Sequence, residues 1–159
     1  MDVSGLPPMV TCPPTVGNVR PVDEAAGPVV QWAELGGHGG GRIEDIRLAA
    51  AVLRGRRVHP DVRFNIVPSS RAAFAQAARE GLVEALHDAG ATWFPPSAGS
   101  NQAINMGALA ADEAMISTHA RNFPGRNGSP EARMYLASAL TVAASAAAGR
   151  VADPRELLA

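Results

Sequence analysis

Five of the six residues from Gly36 to Gly41 are glycine, with His38 the exception. Before them stands an apolar-rich run, Val29-Val30-Gln31-Trp32-Ala33-Glu34-Leu35. After them Ile43, Ile46, Ala49, Ala50 and Leu53 recur at helical spacing. Glycine lets a backbone turn at positive φ and approach another group closely. A helix that begins at once offers unpaired N–H donors. The stretch therefore reads as strand, tight loop and helix, the unit from which α/β folds are built.

The remaining chain repeats that unit. Residues 1–28 hold Pro7, Pro8, Pro13, Pro14, Pro21 and Pro28 and read as an extended N-terminal arm, with residues 29–159 as one domain. Asp61 to Val67 reads as a second strand that stops at Pro68. Ser69 and Ser70 supply a turn and an N-cap, and Phe74, Ala78, Leu82 and Leu86 stripe one long helix ended by Gly90. Ala91 to Phe94 is a short strand, residues 101–109 a short helix, and Ala114 to Ser117 another strand. Ser129 and Pro130 cap a last, alanine-rich helix that runs to Gly149.

Strand and helix alternate through these segments, which predicts a three-layer α/β fold: a mostly parallel, four-stranded sheet with helices on both faces. In such folds ligands bind beyond the carboxyl ends of the strands. The loops sharing that edge are 36–42, 68–70, 95–101 and 118–128. They gather His38, Arg42, Ser69, Ser70, Ser97, Ser100, Asn101, His119, Arg121, Asn122, Arg126 and Asn127. Arg121 and Arg126 flank Phe123-Pro124-Gly125, a loop in which guanidinium forks can clamp a carboxylate or phosphate. His38, between glycines, carries a side chain that titrates near neutrality. His59 and His87 fall at a strand start and a helix end, where structural roles suffice.

Several function classes are disfavoured. The glycines match neither the i, i+2, i+5 dinucleotide pattern nor a P-loop, because Arg42-Ile43 stands where Lys-Ser/Thr is needed. A net charge of −1 gives no electrostatic case for nucleic acid. A single cysteine, Cys12, excludes an internal disulfide framework and any site ligated by cysteines alone. No apolar segment approaches the length of a membrane helix, and the N-terminus lacks a signal pattern, so a soluble, cytoplasmic protein is expected. A single zinc or iron ion held by His38, His119 and a carboxylate is a further option, although no ligand cluster with metal spacing appears.

The segments also carry a family resemblance. Gly36 to Ile46 resembles Gly-Ser-Cys-Thr-Asn-Gly-Arg-Ile/Leu-Glu-Asp-Leu of the aconitase and isopropylmalate dehydratase large-subunit family. Gly90-Ala91-Thr92-Trp93 resembles the Gly-Ala-Glu-Trp that precedes that family's Cys-x-x-Cys loop, and Met106 to Ala110 resembles the segment after that loop. Ser117-Thr118-His119-Ala120-Arg121-Asn122-Phe123-Pro124-Gly125-Arg126-Asn127-Gly128 is similar to Ser-Thr-x-Asn-Arg-Asn-Phe-x-Gly-Arg-x-Gly. Tyr135 to Asp153 resembles the alanine-rich ending, and Val16-Gly17-Asn18-Val19 with Val22 the approach. The resemblance covers nearly the whole chain and corresponds to the third domain of a larger enzyme.

It implies a [4Fe–4S] cluster held by three cysteines, and those places are His38, Ala98 and Asn101 here. Such clusters require thiolates, so none is expected. The family's remaining domains, with their catalytic histidines, carboxylates and serine, have no counterpart in these residues. Arg121 and Arg126 match the arginines that bind substrate carboxylates, whereas the asparagine before the first of them is Ala120. The resulting expectation is a stand-alone, cofactor-independent lyase, isomerase or cyclase acting on a carboxylate- or carbonyl-bearing small molecule, in specialised metabolism. His38, Asn101 and His119 would be catalytic, and Arg42, Ser69, Ser70, Ser100, Arg121 and Arg126 would bind substrate. The alternative is an auxiliary subunit that docks onto separate aconitase-like domains. A homodimer is a further expected assembly.

Overall fold

The computed structural model describes residues 4–37, 39–100 and 105–158. His38 and Asn101 thus lie outside the described residues, as does the start of the helix expected over 101–109; residues 105–109 contain no helix.

Strand and helix alternate from Trp32 to Trp93 as the periodicity predicts, but among the described residues the three strands between Ala91 and Ala137 follow one another with no helix between them, and the sheet is larger and arranged differently. The strands are β1 (Met9–Thr11), β2 (Val19–Pro21), β3 (Trp32–Gly36), β4 (Arg63–Val67), β5 (Ala91–Trp93), β6 (Ala114–Ser117) and β7 (Arg133–Ala137). They form one mixed seven-stranded sheet in the order β2-β1-β7-β6-β3-β4-β5, which replaces the expected four-stranded one. From β7 to β5 all neighbours are parallel. The two strands from the proline-rich segment add antiparallel at the β7 edge.

The extra parallel strand, β7, lies where the last helix was expected to start. Met134, Tyr135 and Leu136 form a short run of β-compatible residues, and Ser138 then caps α5 (Ala139–Ala148) by accepting from the Thr141 N–H. The long helix after Pro68 is in fact two, α3 (Arg71–Arg79) and α4 (Leu82–Asp88). Gly81, at φ 71°, turns the backbone left-handed between them.

The helices occupy one face rather than two. With α1 (Val22–Ala25) and α2 (Ile43–Leu53), every helix named here packs into one large cluster with Ala33 and Leu35 of β3, Phe64 and Ile66 of β4, and Ala114 and Ile116 of β6. Small side chains on α5, among them Ala143, Ala144 and Ala146, let it lie close against α2 and β3. The opposite face shows the residues one step out of register: Trp32, Met115 and Met134, covered by Met106, Leu109 and Ala132 from loops. That is the face onto which Glu34, two residues from Trp32, also projects.

Strand order reverses at β3. The chain moves from β3 through β4 to β5 on one side, then returns to place β6 and β7 on the other. The crevice beyond the carboxyl ends of β3 and β6 is the topological switch point, where open α/β sheets bind ligands.

Candidate active site

Two loops meet at that crevice: the glycine loop after β3 and the loop that starts at Thr118 after β6. Thr118 fastens them together. Its hydroxyl accepts from the Gly36 N–H at 2.9 Å and lies 3.2 Å from the Gly36 carbonyl. The glycines permit this closeness, since a Cβ on Gly39 would run into the Thr118 carbonyl and one on Gly40 into the Thr118 side chain. On the other flank the Ser69 N–H donates to the Gly41 carbonyl at 2.8 Å, which brings the loop after β4 to the same edge.

Beneath that edge stand Glu34, in the middle of β3, and His119, in the loop after β6. Glu34 is wholly buried and His119 is 9% exposed. His119 Nε2 lies 2.7 Å from Glu34 Oε1, which also accepts the Ser100 N–H at 3.0 Å. Glu34 Oε2 has no hydrogen-bond partner among the described residues. Ser100 is itself buried, and its hydroxyl accepts from Asn127 Nδ2 at 2.8 Å. Strand β3, the glycine loop, the loop after β5 and the loop after β6 therefore converge on one carboxylate–imidazole pair.

The other expected site residues divide. Ser100 and His119 are brought together through Glu34. Arg126 is half-buried, with its guanidinium 5.6 Å from the Phe123 ring centroid and its Nε buried without a partner among the described residues. Arg121 and Arg42 are exposed. Arg42 stands at the N-cap of α2, its backbone N–H donating to Asp45 Oδ2. Ser69 and Ser70 are exposed, and the Ser70 hydroxyl caps α3 by accepting from the Ala73 N–H at 3.1 Å. Asn122 is a structural tie, since its Nδ2 donates to the Cys12 and Met134 carbonyls and joins the loop to β1 and β7.

Glu34 was absent from the residues expected at the site. A signal for it existed: an ionisable residue in the middle of an apolar strand cannot be buried without a partner.

The same loops are matched in known proteins. The model of the aconitase (aconitate hydratase) family matches residues 15–149. The chain belongs to the aconitase family. The 3-isopropylmalate dehydratase large subunit of Oleidesulfovibrio alaskensis is 47% identical over 156 residues, covering 98% of this chain and 37% of that protein. The 3-isopropylmalate dehydratase large subunit 1 of Methanopyrus kandleri is 44% identical over 158 residues, covering 99% of this chain and 38% of its own length. The chain thus spans under two-fifths of the relatives it matches.

Within this aconitase-family chain the donor set does not fit an iron–sulfur cluster. The three places that resemblance assigns to cysteines hold His38, Ala98 and Asn101, and an alanine side chain has no donor atom. The single cysteine, Cys12, is buried, and that burial pushes its thiol above the ordinary range. Among the described residues no group of three or more His, Cys, Asp or Glu side chains could hold a metal ion. No described helix is long and apolar enough to cross a membrane.

Proposed function

We propose that this chain is a cofactor-independent, hydro-lyase-like enzyme that acts on a carboxylate- or carbonyl-bearing small molecule by acid/base chemistry. The reaction classes are isomerisation, hydration or dehydration, and cyclisation, in specialised metabolism. The observation that carries this reading is His119, which sits buried at the switch-point crevice with one ring nitrogen engaged and a second to work with. His119 and His38 move protons. The Ser100 hydroxyl, which accepts from Asn127, keeps its own proton to donate to a developing oxyanion, a role that Asn101 shares. Arg126, whose Nε has no partner among the described residues, and Arg121 hold the carboxylate. Arg42, Ser69 and Ser70 form the exposed rim that substrate meets first.

The test uses 3-isopropylmalate, the compound in the relatives' names, together with a panel of hydroxy and oxo carboxylates. Each is incubated with the chain in D2O and followed by proton NMR for C–H exchange or loss of water. Exchange is expected for at least one acid, with the rate reduced about a hundredfold in His119→Ala or His38→Ala. A panel with no exchange, or exchange at an undiminished rate in both variants, defeats the reading.

A second reading is supported by the chain's coverage of only 37–38% of its relatives: an auxiliary subunit that docks onto separate aconitase-like domains. Light scattering after size exclusion, on the chain alone and mixed with such domains, separates the cases. A stable mixed complex favours docking, and a monomer or homodimer that binds an acid favours the stand-alone enzyme.

A further inference from the structure

We propose that Glu34 is the positioning residue of the site, holding the proton of His119 on Nε2 and leaving Nδ1 as the nitrogen that exchanges protons with substrate. This rests on the reading of His119 as an acid/base group.

Burying a carboxylate completely in the central strand of a sheet is unfavourable unless donors compensate it. Among the described residues Glu34 has donors on one oxygen only: the Ser100 N–H at 3.0 Å and His119 Nε2 at 2.7 Å, both to Oε1. Oε1 already acts as acceptor for the Ser100 N–H, and the same role toward His119 puts the shared hydrogen on Nε2. In a neutral imidazole the proton on one nitrogen leaves the lone pair on the other, and here that is Nδ1. Glu34 therefore fixes both the tautomer and the ring orientation, as a carboxylate behind a catalytic imidazole must.

The surroundings are fitted to this pair. A Cβ on Gly99 (φ +74°) would collide with Glu34 Oε1, and one on Gly37 (φ +65°) would come to 3.3 Å from His119 Nε2. The loop after β5 thus carries glycine where a side chain would displace Glu34, whereas at Gly37 a side chain would meet the Ala98 carbonyl first, at 2.7 Å. The Ser100 N–H adds a backbone donor that cannot be lost by substitution at that position, proline excepted.

The experiment is NMR of the whole chain labelled with 15N in its histidine rings, with and without Glu34→Gln. In the wild-type protein the neutral His119 ring should carry its proton on Nε2, with that proton far downfield as charge-assisted hydrogen bonds make it. In Glu34→Gln the resonance should move upfield or vanish. For an acid that exchanges in D2O, this variant should lower kcat about tenfold or more with KM unchanged. A proton found on Nδ1, a resonance indifferent to Glu34→Gln, or an unchanged kcat overturns the proposal. Should the wild-type chain exchange no acid, the proposed function falls, while the wild-type ring spectrum still decides for or against the Glu34–His119 arrangement. That spectrum also decides if Glu34→Gln fails to fold.

Discussion

Gly99→Ala probes how tightly the loops close on the Glu34–His119 pair. Gly99 lies at φ +74°, and a left-handed conformation costs a residue with a Cβ about 1 kcal/mol. The new methyl would also occupy the place of Glu34 Oε1, which cannot move without weakening its bonds to His119 and the Ser100 N–H. Hydrogen bonds to a charged group contribute roughly 1.5–3 kcal/mol each, so losing one brings the total to roughly 2.5–4 kcal/mol. Gly55→Ala is the internal control. Gly55 has nearly the same backbone, φ +69°, but nothing within 4 Å of its would-be Cβ, so only the conformational cost of about 1 kcal/mol applies. In a chain of this size each kcal/mol lowers Tm by roughly 2–4 °C. Thermal unfolding by circular dichroism should therefore show Gly99→Ala melting roughly 5–16 °C lower and Gly55→Ala only about 2–4 °C lower. Adding Glu34→Ala should erase most of the excess, because the obstructing atom is gone. Equal melting points for the two glycine variants would refute the account of the site as closed around Glu34.

Other perturbations test the core, the caps and the charged groups. Ile116→Ala, in the fully buried centre of β6, should cost about 2–5 kcal/mol in urea unfolding, with the site loops lost only on global unfolding. Ser138→Ala should cost about 1 kcal/mol by removing the cap that starts α5 directly after β7. Arg155, hydrogen-bonded to Asp153, holds that carboxyl below the ordinary carboxylate range. Its contribution to stability is therefore complete above the unfolded value of about 3.9 and is lost as the pH falls below it. An acid titration should show Asp153→Asn with a flatter limb in that window. Arg126→Gln should weaken binding of whichever carboxylate exchanges about tenfold or more, read by calorimetry, and should leave an uncharged analogue unaffected.

An element is legible in the sequence when the interactions that decide it are local. Strand β3, the glycine loop and α2 were legible because apolar periodicity, positive-φ glycines and a helix start all lie within about 25 consecutive residues. β6 was legible for the same reason. β7 was not: Met134-Tyr135-Leu136 is too short to be told from the start of a helix, and its strand state is decided by pairing with β6 and, on the other edge, β1. Likewise β1 and β2 stand in a proline-rich stretch whose register, Val10 opposite Ala137, is set by a strand more than a hundred residues away. The helices' confinement to one face is equally non-local, since it depends on which strand each connection returns to. The site residues were legible by loop. Their partners were not, because the Glu34–His119 contact spans 85 positions.

That separation explains how an aconitase-family chain can keep the family's loops while changing what they enclose. The loops are held to one another largely by backbone and Thr118 contacts, which require glycine at 39 and 40 but draw on none of the side chains of Glu34, Ser100 or His119. Beneath them, the side chains must answer to each other. Among the described residues, Glu34 without His119 is a buried carboxylate served by one backbone donor, and His119 without Glu34 is a buried imidazole with its Nε2 bond lost. Each residue makes the other tolerable, and the placing of Glu34 Oε1 depends on the missing side chain of Gly99. Glu34, His119 and Gly99 therefore form a coupled unit, and a substitution at Gly99 should be partly relieved by a second at Glu34. Non-additivity in a cycle of Gly99→Ala with Glu34→Ala is the direct expression of that coupling, whatever the acid on which the site acts.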